Sequence, residues 1–308
     1  MTTAVFNTEG FRRHVTPPGH PEQAARYDAV QAGLAGIDLL HFDAPLASDV
    51  DILRCHPARY LARLQAGSPQ SGWAQMDGDT FLSPGSLNAA LRGVGGACAG
   101  VDAVMAGQAA NAFVPARPPG HHAELETAMG FCLFGTVAIA AKRALDHHGL
   151  ARVAIVDFDV HHGNGTQDLL WDEARCLFTS SHQMPLYPGS GQPSETGAHG
   201  QIVNVPLSEG SGGGAMRNAY ERLIFPALTR WQPELILISA GFDAHADDPL
   251  AGLNWRADDF AWLTRRICDL ADQFCGGRVV SCLEGGYDLP ALTASVAAHV
   301  AVLQERGQ

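Results

Sequence analysis

The chain is predicted to form a single α/β domain over residues 1–308, with a mainly parallel β-sheet and helices on both faces. Three observations predict it. Short β-branched apolar runs alternate with longer Ala/Leu-rich stretches. The short runs are apolar on both faces, as strands of a parallel sheet covered by helices must be. Acidic, His and Tyr residues gather just after the runs, where open α/β sheets bind ligands, beyond the carboxyl ends of their strands.

In chain order, a helical pattern covers 22–35, and a second covers 85–107 behind Pro84 and Gly85. Ala112–Val114 reads as a strand. A helix over 133–148 stops at Gly149, and the run Val153–Val160 reads as the next strand. Cys176–Ser180 and Ile202–Pro206 follow as strands. The glycines at 212–214 open a helix over 213–230. Leu235–Ala240 and Val279–Leu283 are strands that flank a helix over 256–274, and a last helix over 288–304 carries Pro290 near its start. There is no internal repeat, and no Gly- or Pro-rich tract long enough to divide the chain.

Composition narrows the class. Hydrophobic residues make up 46% and charged residues 17%, typical of a chain with a sizeable core. The formal net charge of −12 disfavours direct nucleic-acid binding through phosphates and suits basic partners. No apolar run reaches membrane-spanning length and the first residues lack a signal-peptide pattern, so the expectation is a cytoplasmic protein, compatible with a homo-oligomer, with no membrane partner. Seven scattered Cys without a C-x-x-C pair read as reduced, core-filling thiols.

Four clusters carry chemistry. In VAIVDFDVHHGNG at 153–165, Asp157, Asp159 and His161 alternate at the period of a strand and therefore share a face. Two carboxylates and an imidazole where a buried strand emerges would be costly unpaired; a divalent cation resolves the cost, zinc first among several. In RPPGHHA at 117–123, two prolines and Gly120 stiffen a loop bearing His121 and His122, a pairing suited to acid–base work near neutrality. In ISAGFDAHADDPL at 238–250, Asp243, His245, Asp247 and Asp248 compete as ligands, and spacing does not choose between them. In LEGGYD at 283–288, two glycines allow close backbone approach and place Tyr287 as a donor to a developing oxyanion.

Together these segments resemble the histone deacetylase family, nearest its class II and bacterial members. RPPGHHAE at 117–124, MGFC at 129–132, DFDVHHGNGTQD at 157–168, HQMPLYPGSG at 182–191, SAGFDAHADDPLAG at 239–252 and EGGYD at 284–288 occur in family order. GHPEQAARYDAV at 19–30 and DGDTFLSPGS at 77–86 also match. The resemblance implies the arginase/deacetylase fold and metal-dependent hydrolysis of an acetylated amine, with acetyl-lysine in peptides or proteins favoured over acetylpolyamine. It implies zinc, with iron as the alternative, on Asp159, His161 and Asp248. His121 and His122 are the implied tandem pair, oriented by Asp157 and Asn164, and Tyr287 the carbonyl donor. Phe131, Gly130, Tyr187, Leu250 and, at the rim, Asp79 would contact substrate. Arg26 would lie by a cavity for released acetate. A potassium ion would sit at Asp157, Asp159, His161, Ser180 and Ser181. The sequence departs from the family at Asp247 and Gly135-Thr136, where Gly and paired Asn are usual, and at Gln23-Ala24, where Arg-Pro is; no implied ligand or catalytic group is lost. Two other readings compete: a binuclear manganese ureohydrolase, suggested by the Asp243-Ala-His245-Ala-Asp247 string, and a non-catalytic acyl-lysine binder.

Overall fold

In the computed structural model, which describes residues 2–308, ten strands fall into two sheets. They are β1 (Ala4–Asn7), β2 (Leu40–Asp43), β3 (Ala74–Gln75), β4 (Phe81–Leu82), β5 (Asn111–Val114), β6 (Val153–Asp157), β7 (Cys176–Gln183), β8 (Ile202–Leu207), β9 (Leu235–Ala240) and β10 (Val279–Leu283). Eight of them form one sheet in the order β2-β1-β5-β10-β9-β6-β7-β8, with every pairing parallel. β3 and β4 form a small antiparallel hairpin. The predicted fold class holds.

The helices are α1 (Ala25–Leu34), α2 (Asp49–Ile52), α3 (Ala58–Gly67), α4 (Ser86–Met105), α5 (Thr136–Asp146), α6 (Asn164–Leu169), α7 (Gly213–Ala219), α8 (Phe225–Trp231), α9 (Ala257–Cys275) and α10 (Leu289–Arg306). A π-helical turn at Tyr220–Ile224 joins α7 to α8, so the expected helix over 213–230 is continuous. Alternation along the central strands divides the core between the two faces. On β6, Val153 and Ile155 join the cluster covered by α4 and α5, while Ala154 and Val156 join the one covered by α9 and α10. All seven cysteines are buried free thiols, as their scatter predicts. No helix among the described residues is long and apolar enough to cross a membrane.

The sequence-level pattern missed β1, β2, the β3–β4 hairpin, α2, α3 and α6. Every residue of β2 is exposed and β1 is only four residues long, so neither presents the long two-faced apolar run that marks the central strands. The expected strand Val153–Val160 ends early, at Asp157. Asp159 and His161 lie in a bend beyond it.

Candidate active site

β5, β10, β9, β6 and β7 are consecutive neighbours in the sheet. Because all are parallel, the loops leaving their carboxyl ends meet side by side. Those loops carry, in that order, the His121-His122 pair, the Glu284–Asp288 turn, the Asp243–Asp248 segment, Asp159 with His161, and Tyr187. Residues far apart in sequence thus converge, as the switch-point rule for such sheets requires.

After β6 the backbone bends, yet Asp159 and His161 stay on one side of it. Asp157 Oδ1 accepts the Asp159 N–H at 3.1 Å, and Asp159 Oδ1 accepts the His161 N–H at 2.9 Å. Side-chain-to-backbone bonds thus do what strand alternation was expected to do. His161 Nδ1 stands 3.1 Å from Asp159 Oδ1 and 3.2 Å from Asp243 Oδ2. Asp159, His161 and Asp243 each offer one donor atom, all within 4.8 Å of one another. Four ligands at zinc–oxygen and zinc–nitrogen lengths of about 2.0–2.1 Å in a tetrahedron stand about 3.3–3.4 Å apart, so the trio has the spacing of an ion's coordination edges.

The carboxylate that meets His161 here is Asp243, whereas the resemblance implies Asp248 as the third ligand. Asp248 is not part of this trio. Its Oδ2 accepts the backbone N–H of Tyr287 at 2.7 Å and its Oδ1 that of Leu250 at 3.0 Å, so it ties the Tyr287 turn to the Leu250 loop. Asp243 reaches His161 because it follows β9 by only three residues and β9 pairs directly with β6. Its Oδ1 is anchored by the Val160 N–H at 2.9 Å, which leaves Oδ2 facing His161. His245 and Asp247, the other local competitors, lie outside the trio as well.

The electrostatics call for a cation. Asp159 and Asp243 are fully buried and Asp248 nearly so, and among the described residues no Lys or Arg forms an ion pair with any of them. Burial and the neighbouring Asp159 raise the Asp243 carboxyl above its ordinary value. Burial and Asp243 push Asp248 up to about 7. Burial would lower His161, but hydrogen bonds to Asp159 and Asp243 overcome it and hold the ring up to about 10. Protons are held where a divalent ion would serve instead. Gly285 lets the backbone approach closely: a Cβ there would lie 2.0 Å from Asp243 Oδ2, and its N–H donates to Asp159 Oδ2 at 2.8 Å.

The two histidines have different partners. His121 Nδ1 is 3.0 Å from Asp157 Oδ2; burial disfavours its charge, but Asp159 and Asp157 reverse that and hold it well above its ordinary value. His122 Nδ1 is 2.7 Å from Asn164 Oδ1. Burial, then His121 and His161, lower His122 well below its ordinary value, so it stays neutral. One imidazole favours charge and the next favours neutrality, which separates an electrostatic role from a base role.

A cavity of about 240 Å³ opens above them, lined by Asp79, His122, Gly130, Phe131, His161, Leu186, Tyr187, Leu250 and Tyr287. All five residues expected to contact substrate are on that wall; Leu186 is an addition. Gly130 has φ +54°, and a Cβ there would lie 2.5 Å from the His122 ring. Phe131 also has positive φ, +69°, unusual for a bulky residue, which aims its ring at Tyr287 with centroids 5.7 Å apart. Arg26 is buried beneath, donating to the carbonyls of Gly286 and Glu284 at 2.6 Å each, with its guanidinium 4.8 Å from the Tyr287 ring centroid. Ser180 pairs in register with Asp157, but its hydroxyl meets His182 Nδ1 at 2.9 Å, and the Ser181 hydroxyl meets that of Tyr220 at 2.8 Å.

Glu284 was missed as a functional residue. Its Oε2 accepts the N–H groups of Gly120 (2.6 Å) and His121 (3.1 Å), and Oε1 accepts from Ser239 at 3.1 Å, so it fixes the histidine loop. Burial pushes its carboxyl up to about 7. Glu22, which clamps Arg26 and Arg117, and Glu124, bonded to Asn164, were missed too. A buried-acid position after a strand was the available signal for Glu284; nothing local marked the other two.

Fold and site together define a hydrolase with a metal-type donor trio that meets a mostly apolar cavity at His161. Residues 20–303 match the histone deacetylase domain model. The chain is 44% identical over 248 residues to a histone deacetylase-like amidohydrolase of Pseudomonas aeruginosa, covering 79% of this chain and 65% of that one. It is 38% identical over 298 residues to a probable deacetylase of Archaeoglobus fulgidus, covering 94% and 82%. The crystal structure of the HDA15 HD domain superposes with a TM-score of 0.91 at 32% identity, covering 98% of this chain and 90% of that one. The chain belongs to the histone deacetylase family, a family of generally metal-dependent deacetylases.

Proposed function

We propose that this protein is a zinc-dependent deacetylase that hydrolyses the amide of N-acetyl-lysine in peptides or proteins. The observation that carries this reading is the buried Asp159/His161/Asp243 trio, whose His161 lines the cavity, beside the His121–Asp157 and His122–Asn164 pairs. Asp159 and His161 would hold the ion with a third carboxylate, Asp243 by its place in the trio or Asp248 by the resemblance, and iron is the alternative metal; when bound, it supplies Lewis acidity toward a carbonyl and a water of lowered pKa.

The remaining work falls to the chain. His122, neutral and hydrogen-bonded through Nδ1, presents Nε2 to take the proton of the attacking water and return it to the leaving amine. His121, paired with Asp157, stabilises developing negative charge. The Tyr287 hydroxyl donates to the carbonyl oxygen as it becomes an oxyanion. Phe131, Gly130, Tyr187 and Leu186 shape a channel slender enough for an aliphatic stem and exclude water from it. Leu250 places no charge at the mouth to draw a second ammonium, which favours acetyl-lysine over acetylpolyamine. Arg26 would pair with released acetate. Asp157, with Ser180 and the backbone carbonyls of Asp159, His161 and Ser181, would form a potassium site. The ureohydrolase reading loses its support because His245 and Asp247 stand outside the trio.

The test is hydrolysis of a fluorogenic acetyl-lysine peptide, compared with acetylspermidine. Turnover of the peptide that is abolished by a chelator and restored by zinc is expected. Absence of turnover by the zinc-loaded protein on either substrate would overturn the proposal.

A further inference from the structure

Position 164 carries a neutral amide against His122, and an amide has a direction. Its oxygen accepts and its nitrogen donates, so turning it by half a rotation reverses what the histidine meets. The structure contains a device that fixes the direction. Asn164 Nδ2 donates to Glu124 Oε1 at 2.7 Å, with Met129 Sδ as a weak second acceptor at 3.5 Å. A carboxylate only accepts, so Nδ2 faces Glu124 and Oδ1 faces His122, 2.7 Å away. Oδ1 carries no hydrogen, so His122 Nδ1 must supply one. Nε2 is then the bare nitrogen.

Glu124 is free for this task. It is half-buried and forms no ion pair among the described residues, whereas Glu126, two residues on, is engaged by Arg59. Glu124 is held by a reciprocal turn, in which its N–H donates to Thr127 O at 3.0 Å and its carbonyl accepts from Thr127 N at 3.4 Å. The turn directly follows His121-His122, so orienter and base share one short loop.

We propose that Glu124 is a positioning residue for the base: it locks the Asn164 amide and, through it, the His122 tautomer with the proton on Nδ1. The proposal rests on the deacetylase reading, in which His122 Nε2 takes a proton. Without Glu124 the amide turns over, its N–H meets Nδ1, and the ring shifts its own proton to Nε2, where it can no longer accept one. An aspartate at 164 would need no such lock, since its two oxygens are equivalent acceptors. Glu124 is therefore required only because residue 164 is Asn.

That dependence is the test. Glu124→Ala, Glu124→Gln, Asn164→Asp and Asn164→Asp/Glu124→Ala are compared in the full metal-loaded chain on an acetyl-lysine peptide. Glu124→Ala is expected to lower kcat about 10–100-fold with KM within about threefold, part of the roughly 100–10,000-fold that a correctly protonated acid–base group supplies. Glu124→Gln, whose carbonyl still accepts from Nδ2, recovers most of that loss. In the Asn164→Asp background, Glu124→Ala costs nothing further and removes a like-charge neighbour. Histidine ¹⁵N spectra of the protein show the proton on His122 Nδ1 in the parent and a tautomer mixture in Glu124→Ala. An equal loss from Glu124→Ala in both backgrounds, or an unchanged tautomer, overturns the proposal. If the parent chain turns over no acyl-lysine substrate, the deacetylase reading fails instead, and the ¹⁵N spectra still decide whether Glu124 sets the tautomer.

Discussion

Removing one carboxylate at a time separates Asp243 from Asp248 as the third ligand. In Asp243→Asn the trio loses the charged oxygen that stands 3.2 Å from His161 Nδ1. A four-ligand structural zinc site is worth about 10–16 kcal/mol, or about 2.5–4 kcal/mol per ligand, so metal affinity should fall about 100–1,000-fold. In Asp248→Asn the trio is untouched. The change instead sets an amide N–H against one of two backbone donors, Tyr287 N at 2.7 Å or Leu250 N at 3.0 Å. That displaces the Tyr287 turn at a cost of about 1–3 kcal/mol, while metal affinity falls about 10–100-fold, as for an outer-shell partner and less than in Asp243→Asn. The assay is retained metal after dialysis against a zinc-buffered chelator series, read by elemental analysis, alongside turnover. Asp243→Asn should emerge metal-poor, and Asp248→Asn metal-replete but slow. If Asp248→Asn sheds the ion while Asp243→Asn keeps it, the assignment from geometry is refuted and the one implied by the resemblance stands.

Two further outcomes are expected. Tyr287→Phe should keep fold and metal but lose about 100–1,000-fold in kcat, the usual cost of one oxyanion donor; near-parental turnover of an acetyl-lysine peptide would remove Tyr287 from that role. His299 is fully buried between Thr264 Oγ1 (2.7 Å) and Ser281 Oγ (2.9 Å), and burial lowers it from 6.5 to about 3. Its folded value is below its unfolded one, so the unfolded chain binds the extra proton and stability is lost as pH falls below 6.5. Relative to His299→Gln, the parent should lose about 1.4 kcal/mol per pH unit between roughly pH 6 and 4 in urea titrations; parallel pH profiles would contradict this.

Much of this was legible in the linear pattern, and the reason is local. Six strands of the sheet are apolar enough to stand out as runs, and the groups that follow them had to be functional because unpaired acids are costly at the buried end of a strand. Asp159, His161, His121, His122 and Tyr287 could be picked on that ground, and the family resemblance supplied the substrate wall. The edge strand β2 was illegible because it is exposed throughout and carries no burial signal.

What only the tertiary structure decided was direction and adjacency. Asp243, His245, Asp247 and Asp248 all compete as donors by position; Asp243 is the one that meets His161 because β9 lies against β6, a pairing between segments about eighty residues apart. Glu284 holds the histidine loop because β10 lies against β5. Glu124 meets Asn164 across forty residues, and which end of that amide faces His122 is settled by the carboxylate beyond it. The sequence by itself determined which chemical groups stand at the strand ends. Which of them meet one another, and in which orientation, depends on strand order and on hydrogen bonds that no local pattern encodes.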